Sequence, residues 1–98
     1  MIKADRIHLA RVAELGCIVS KNLNLGETPA KIHHIRTGQG TSQRAAHRKS
    51  IPLCHTHHRN GGYGVAIHAG RRAWEMKYGT EAELLVQVLY LLSEGVHA

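Results

Sequence analysis

Two stretches decide how this chain folds: Ile32-His33-His34-Ile35 and, further on, Ile51-Pro52-Leu53-Cys54-His55-Thr56-His57-His58. Each sets apolar, β-branched residues beside a pair of consecutive imidazoles. The pattern predicts a strand over 30–35, a second strand over 50–53 and a helical turn starting near Cys54. Residues 36–49 between them are polar and contain Gly38 and Gly40, with no helical period. A loop that long in so small a domain is more often functional than decorative.

Working outward, residues 4–15 are good helix formers and Gly16 is a natural stop. Ile7, Ala10 and Glu14 form one stripe of that helix, and Leu9, Val12 and Ala13 another. Asn22, Asn24, Gly26 and Pro29 mark 17–29 as loop. A helix is expected over 69–78, stopping at Gly79. Thr80 with Glu83 makes a capping box for a last helix over 81–94, which buries Leu84, Leu85, Val88, Leu91 and Leu92. The expected class is α+β, a single domain over 1–98. Its hairpin core spans about 30–68 and its C-terminal helical pair about 69–94.

A chain of 98 residues has a thin core, and this one has no Phe, one Trp and three Tyr. At this size only about 60–65% of the unfolded surface is buried, so an additional staple is expected, a metal first. Nine His are present, seven of them between His33 and His68. No Asp or Glu occurs between Glu27 and Glu75, a stretch that carries Lys31, Arg36, Arg44, Arg48, Lys49, Arg59, Arg71 and Arg72. The formal net charge is +6. A cationic, His-rich segment without carboxylates suits a polyanion, nucleic acid above all. Any metal site built within it must use imidazole, thiolate, water or substrate phosphate. No apolar run is long enough to span a membrane, and the polar start lacks a signal-peptide pattern. Cys17 and Cys54 make no secreted disulfide framework, so a cytoplasmic protein with reduced thiols is expected.

The order strand, long loop, strand, short helix, with His-His ending the first strand and Cys-x-x-His-His opening the helix, resembles the HNH nucleases. Their core is a ββα-metal, treble-clef-like hairpin. The longer run Ile32-His33-His34-Ile35-Arg36, Arg44, His47, Ile51-Pro52-Leu53-Cys54, His57-His58-Arg59 and Gly62-Tyr63-Gly64-Val65-Ala66-Ile67-His68-Ala69-Gly70 resembles the phage Ref-like family. These are recombination-enhancement nucleases of phages and prophages, one of which cuts DNA only where RecA is bound. The likeness covers roughly residues 15–95.

That resemblance implies a metal-dependent DNA endonuclease with His34 as general base and His33 and His58 as ligands of Mg²⁺, Mn²⁺ or Zn²⁺. His-rich HNH enzymes usually carry a third ligand three or four residues past the His58 position. Gly61 and Gly62 stand there, so His68 is assigned instead. No Asn lies between Asn24 and Asn60 to fill the middle letter of HNH. His47 occupies about that region, where it orients His34, contacts phosphate or faces solvent. Many relatives hold a structural zinc between two Cys-x-x-Cys elements. Here these read Cys17-Ile18-Val19-Ser20 and Cys54-His55-Thr56-His57, leaving Cys17, Cys54 and His57 as zinc ligands. His55, His33 or water would complete that site, or it has decayed into buried packing. Arg36, Arg44, Arg48, Lys49 and Arg59 are the expected phosphate contacts. Family members that depend on a RecA filament also have a long basic N-terminal extension, which this sequence lacks. A non-catalytic, zinc-stabilised DNA-binding or adaptor module is the alternative, although a purely structural site needs no extra base beside its ligands. Oligomeric state is not legible.

Overall fold

The computed structural model describes residues 2–35 and 48–95. Helix α1 (Lys3–Glu14) leads into a short α2 (Ile18–Asn22), and strands β1 (Lys31–His34) and β2 (Ser50–Leu53) follow. A π-helical turn (Thr56–Asn60) and a 3₁₀ turn (Ile67–Ala69) then precede α3 (Arg71–Tyr78) and α4 (Glu81–Gly95). The class is α+β, a two-stranded antiparallel hairpin among helices, consistent with a ββα-type core.

The hairpin is pinned in one register. Lys31 faces Leu53, Ile32 faces Pro52, His33 faces Ile51 and His34 faces Ser50. The Ile35 N–H donates to the Lys49 carbonyl at 2.8 Å. Antiparallel alternation then makes His33–Ile51 a hydrogen-bonded pair and Ile32–Pro52 a non-hydrogen-bonded one. Pro52, which has no N–H, therefore interrupts no ladder bond. All four β2 residues are buried, and α1, α2 and α4 each pack on this strand. Val12, Ile18, Val19, Ile51, Leu53, Trp74, Leu84 and Val88 form the centre of the core.

The last helix follows its pattern. Leu84, Val88 and Leu92 are buried, with Leu85 and Leu91 packed beside them. Its capping box is complete: the Thr80 N–H donates to Glu83 Oε1 at 2.9 Å and the Glu83 N–H donates to Thr80 Oγ1 at 3.0 Å. The first helix departs from the expected stripes. It buries Asp5, His8 and Val12, while Ile7 is 52% exposed. Asp5 holds one of those inward positions because Arg48, at the foot of β2, brings its Nε to 3.4 Å from Asp5 Oδ1. Residues 17–29 also contain α2, where a loop was expected. Cys17 caps it, its Sγ accepting the Ser20 N–H at 3.5 Å, and five residues are too few to show a period. Gly16 ends α1 at φ +75°, where an added Cβ would sit 3.1 Å from the Thr28 carbonyl oxygen. The residues 36–47, with Arg36, Arg44 and His47, lie outside those described.

Buried His8 predicts an acid-side weakness. Burial, then Arg48 and Arg11, push its pKa below the usual 6.5, against the opposing pull of Asp5. Below pH 6.5 the unfolded chain takes up a proton that the folded one resists, so stability falls as the pH drops and is unaffected above that point. Urea midpoints measured in chelator at pH 7 and pH 5.5 should fall for the wild type. The fall should be smaller for His8→Gln; an equal fall would mean that His8 does not contribute.

Candidate metal centre and nucleic-acid cleft

The site grows from the turn that follows β2. The His58 N–H donates to the Cys54 carbonyl and the Gly61 N–H to the Thr56 carbonyl, both at 2.9 Å. The second is an i to i+5 bond, the wide turn of a π-helix. A Cβ on Gly61 would lie 2.4 Å from the Thr56 oxygen and 2.5 Å from Val65 Cγ1. Position 61 is thus packed against backbone and can carry no side chain. Consecutive His57 and His58 are both buried on this turn, and they enter two different clusters.

His58 meets His33 from β1 and His68 from the 3₁₀ turn, with one potential ligand atom from each within 4.8 Å of the others. His58 Nε2 and His68 Nε2 are 2.9 Å apart, and the His33 ring centroid is 5.2 Å from that of His58 and 5.5 Å from that of His68. Burial, then the cationic neighbours His33, His68, Arg59 and His55, push His58 down to about 4. At neutral pH it is an uncharged imidazole with a free lone pair. Three convergent imidazole side chains fit a divalent first-row ion. His34 stands outside this cluster, yet it lines the same open cleft of about 500 Å³.

His57 turns the other way. Its Nδ1 lies 3.2 Å from Cys54 Sγ and 3.5 Å from Cys17 Sγ, and its ring packs edge-on against Tyr78, which packs in turn on Trp74. Burial alone raises the Cys54 thiol. Hydrogen bonds from the His57 backbone, the Cys17 and Ser20 side chains and the Thr56 backbone outweigh it and bring the pKa below its ordinary value. Burial and Lys77 keep His57 neutral. Two cysteine sulfurs, that of Cys54 thiolate-prone, with a neutral His fit zinc. Buried Ser20 sits beside both sulfurs, its Oγ 3.9 Å from Cys54 Sγ. Neither His55 nor His33 joins this group. His55 is exposed and bonded to Asn60 at 3.2 Å, and His33 belongs to the other cluster.

Of the expected phosphate contacts, Arg59 lines the cleft, Arg48 is paired with Asp5, and Lys49 lies at the foot of β2. Two cleft residues escaped the sequence reading. Arg71, at the start of α3, is half exposed on the cleft wall. Glu81, at the start of α4, is buried with Oε2 2.7 Å from His33 Nε2. The carboxylate that the central segment lacks thus arrives from outside it. The one signal available was a glutamate ahead of the apolar stripe of the last helix, which helix-dipole preference explains equally well.

The sequence model of a family described as "Recombination enhancement, RecA-dependent nuclease" matches residues 3–93. No curated protein matches the chain. Among the described residues, no helix is long and apolar enough to cross a membrane.

The position of Ser20 generates a test of the sulfur cluster. If Cys17, Cys54 and His57 hold zinc, its binding energy is folding energy. Chelator should then lower the melting temperature by many degrees, since 1 kcal/mol is worth about 4–8 °C in a domain of this size. Ser20→Cys should tighten zinc and raise the melting temperature further. Thermal melts with and without chelator, beside a zinc count, decide it; an unchanged melt in both proteins would mean that the cluster is only packing.

Proposed function

The chain belongs to the recombination-enhancement, RecA-dependent nuclease family, and from that premise we propose that it is a metal-dependent DNA endonuclease of phage or prophage origin with an HNH-type site. One observation carries this reading: His34 lines the same cleft as the His33, His58 and His68 cluster without being part of it. A site that only stapled the fold would need the cluster and not the neighbouring imidazole.

His33, His58 and His68 would hold the ion. When bound, it supplies Lewis-acid polarisation of the scissile phosphate and charge relief for the leaving 3′-oxygen. His34 takes a proton from water, because an imidazole is the side chain suited to that transfer near neutral pH. The water oxygen bonds to phosphorus as the P–O3′ bond breaks. Arg59 and Arg71 place guanidinium groups on the cleft wall, where they can hold the flanking phosphates. The Cys17, Cys54 and His57 group would carry a structural zinc that fixes the turn beneath. RecA enters as a partner through the family to which the chain belongs.

DNA cleavage assays with Mg²⁺, Mn²⁺ or Zn²⁺, with and without a RecA filament and ATP, test this reading. Metal-dependent cutting is expected. His34→Ala should lower it by about 10²–10⁴-fold while leaving metal affinity in calorimetry unchanged. His58→Ala should lose both rate and metal. Equal loss of metal affinity in the two variants would reverse the assigned roles. No cutting under any combination would leave a non-catalytic binding module.

A further inference from the structure

Glu81 is a carboxylate in a cleft that must accept phosphates, where its charge works against the substrate. It is also 4% exposed, and a buried carboxylate is costly unless it is partnered. It is not needed to cap α4, because Thr80 and Glu83 already do so. Its own backbone N–H is taken by Glu75 Oε2 at 2.8 Å. Its side chain reaches His33, through Oε2 at 2.7 Å from Nε2, and Arg71, whose Nη1 is 3.6 Å from Oε1. Arg71 also reaches Glu75, at 3.9 Å. The carboxylate is therefore held on one side by α3 and aimed at one edge of one histidine.

We propose that Glu81 is a positioning residue: it accepts the Nε2 proton of His33, so that His33 presents Nδ1 to the metal while His58 and His68 present Nε2. A neutral imidazole has one N–H and one lone pair. A carboxylate only accepts, so the nitrogen facing Glu81 carries the proton and the lone pair is left on Nδ1. His58 and His68 turn their Nε2 atoms toward each other at 2.9 Å, which makes those their ligand atoms. The carboxylate fixes the tautomer and the ring of His33, as partners behind metal-binding histidines generally do. Arg71 offsets the charge of Glu81 within the cleft, while His33 hydrogen-bonds it. This inference rests on reading the three-histidine cluster as a metal site.

The test uses full-length protein with ¹⁵N-labelled histidine and Zn²⁺ as the probe. Long-range ¹H–¹⁵N spectra, with the His33 signals assigned by their loss in His33→Asn, should show the Nε2–H tautomer before zinc and the zinc-induced shift on Nδ1 after it. Calorimetry should show that Glu81→Ala weakens zinc at this cluster by about 10–100-fold. Glu81→Gln, whose amide oxygen still accepts, should keep affinity within a few-fold of wild type. Coordination through His33 Nε2 would overturn the proposal while leaving the metal site standing. So would a Gln variant as weak as Ala, which would mark Glu81 as a direct ligand. Zinc that shifts none of His33, His58 and His68 would overturn the metal reading and this inference together. The tautomer is read on wild type, so the proposal stays testable even if Glu81→Ala does not fold.

Discussion

Everything at the site depends on one turn that has to point two neighbouring side chains in different directions. His57 and His58 are consecutive, yet one faces the sulfurs of Cys17 and Cys54 and the other faces His33 and His68. Consecutive side chains diverge on any helical turn, by about 100° in an α-helix, and here the turn closed by the Gly61 N–H on the Thr56 carbonyl holds the two imidazoles in place. The sulfur cluster ties this turn to the start of α2, and β2 ties it to His33 across the ladder. A disturbance at Cys17 is therefore transmitted to His58 through one peptide unit. In a domain with so few large aromatics, that coupling links folding to the geometry of the cleft.

Charge is handled with similar economy. The stretch from residue 28 to 74 has no carboxylate of its own, a charge pattern suited to a polyanion. Two acidic groups that meet it, Asp5 and Glu81, come from the first and last helices and are buried. Asp5 reaches Arg48 from α1, and Glu81 reaches His33 and Arg71 from α4. Each contact joins a terminal helix to the hairpin region. Each also pairs a carboxylate with a cation of that stretch while keeping it off the open surface.

Much of this was readable from residue order alone, where local rules act locally. The limits of β2 followed from Ser50-Ile51-Pro52-Leu53, and the start of α4 from the Thr80–Glu83 box. The grouping of His33, His58 and His68, which the structure brings together, came from the family likeness and from the absence of a side chain at Gly61. What stayed hidden was what tertiary packing adds. The five residues of α2 are held by a cysteine cap, which leaves no periodic trace. The inward face of α1 carries Asp5 and His8, so an apolar pattern could not reveal it. Glu81 and Arg71 belong to later helices, and only the packing of α3 and α4 beside the hairpin brings them to His33. Of the expected set, His47, Arg36 and Arg44 fall outside the described residues.

The central claim is that one turn serves two metal sites with separate histidines. Anomalous diffraction at the zinc edge from zinc-loaded crystals tests it most directly. The account predicts two peaks per chain, one among Cys17, Cys54 and His57 and the other among His33, His58 and His68, with His34 in the cleft and not coordinating. A single peak, or a second one with His34 in its coordination shell, would contradict it.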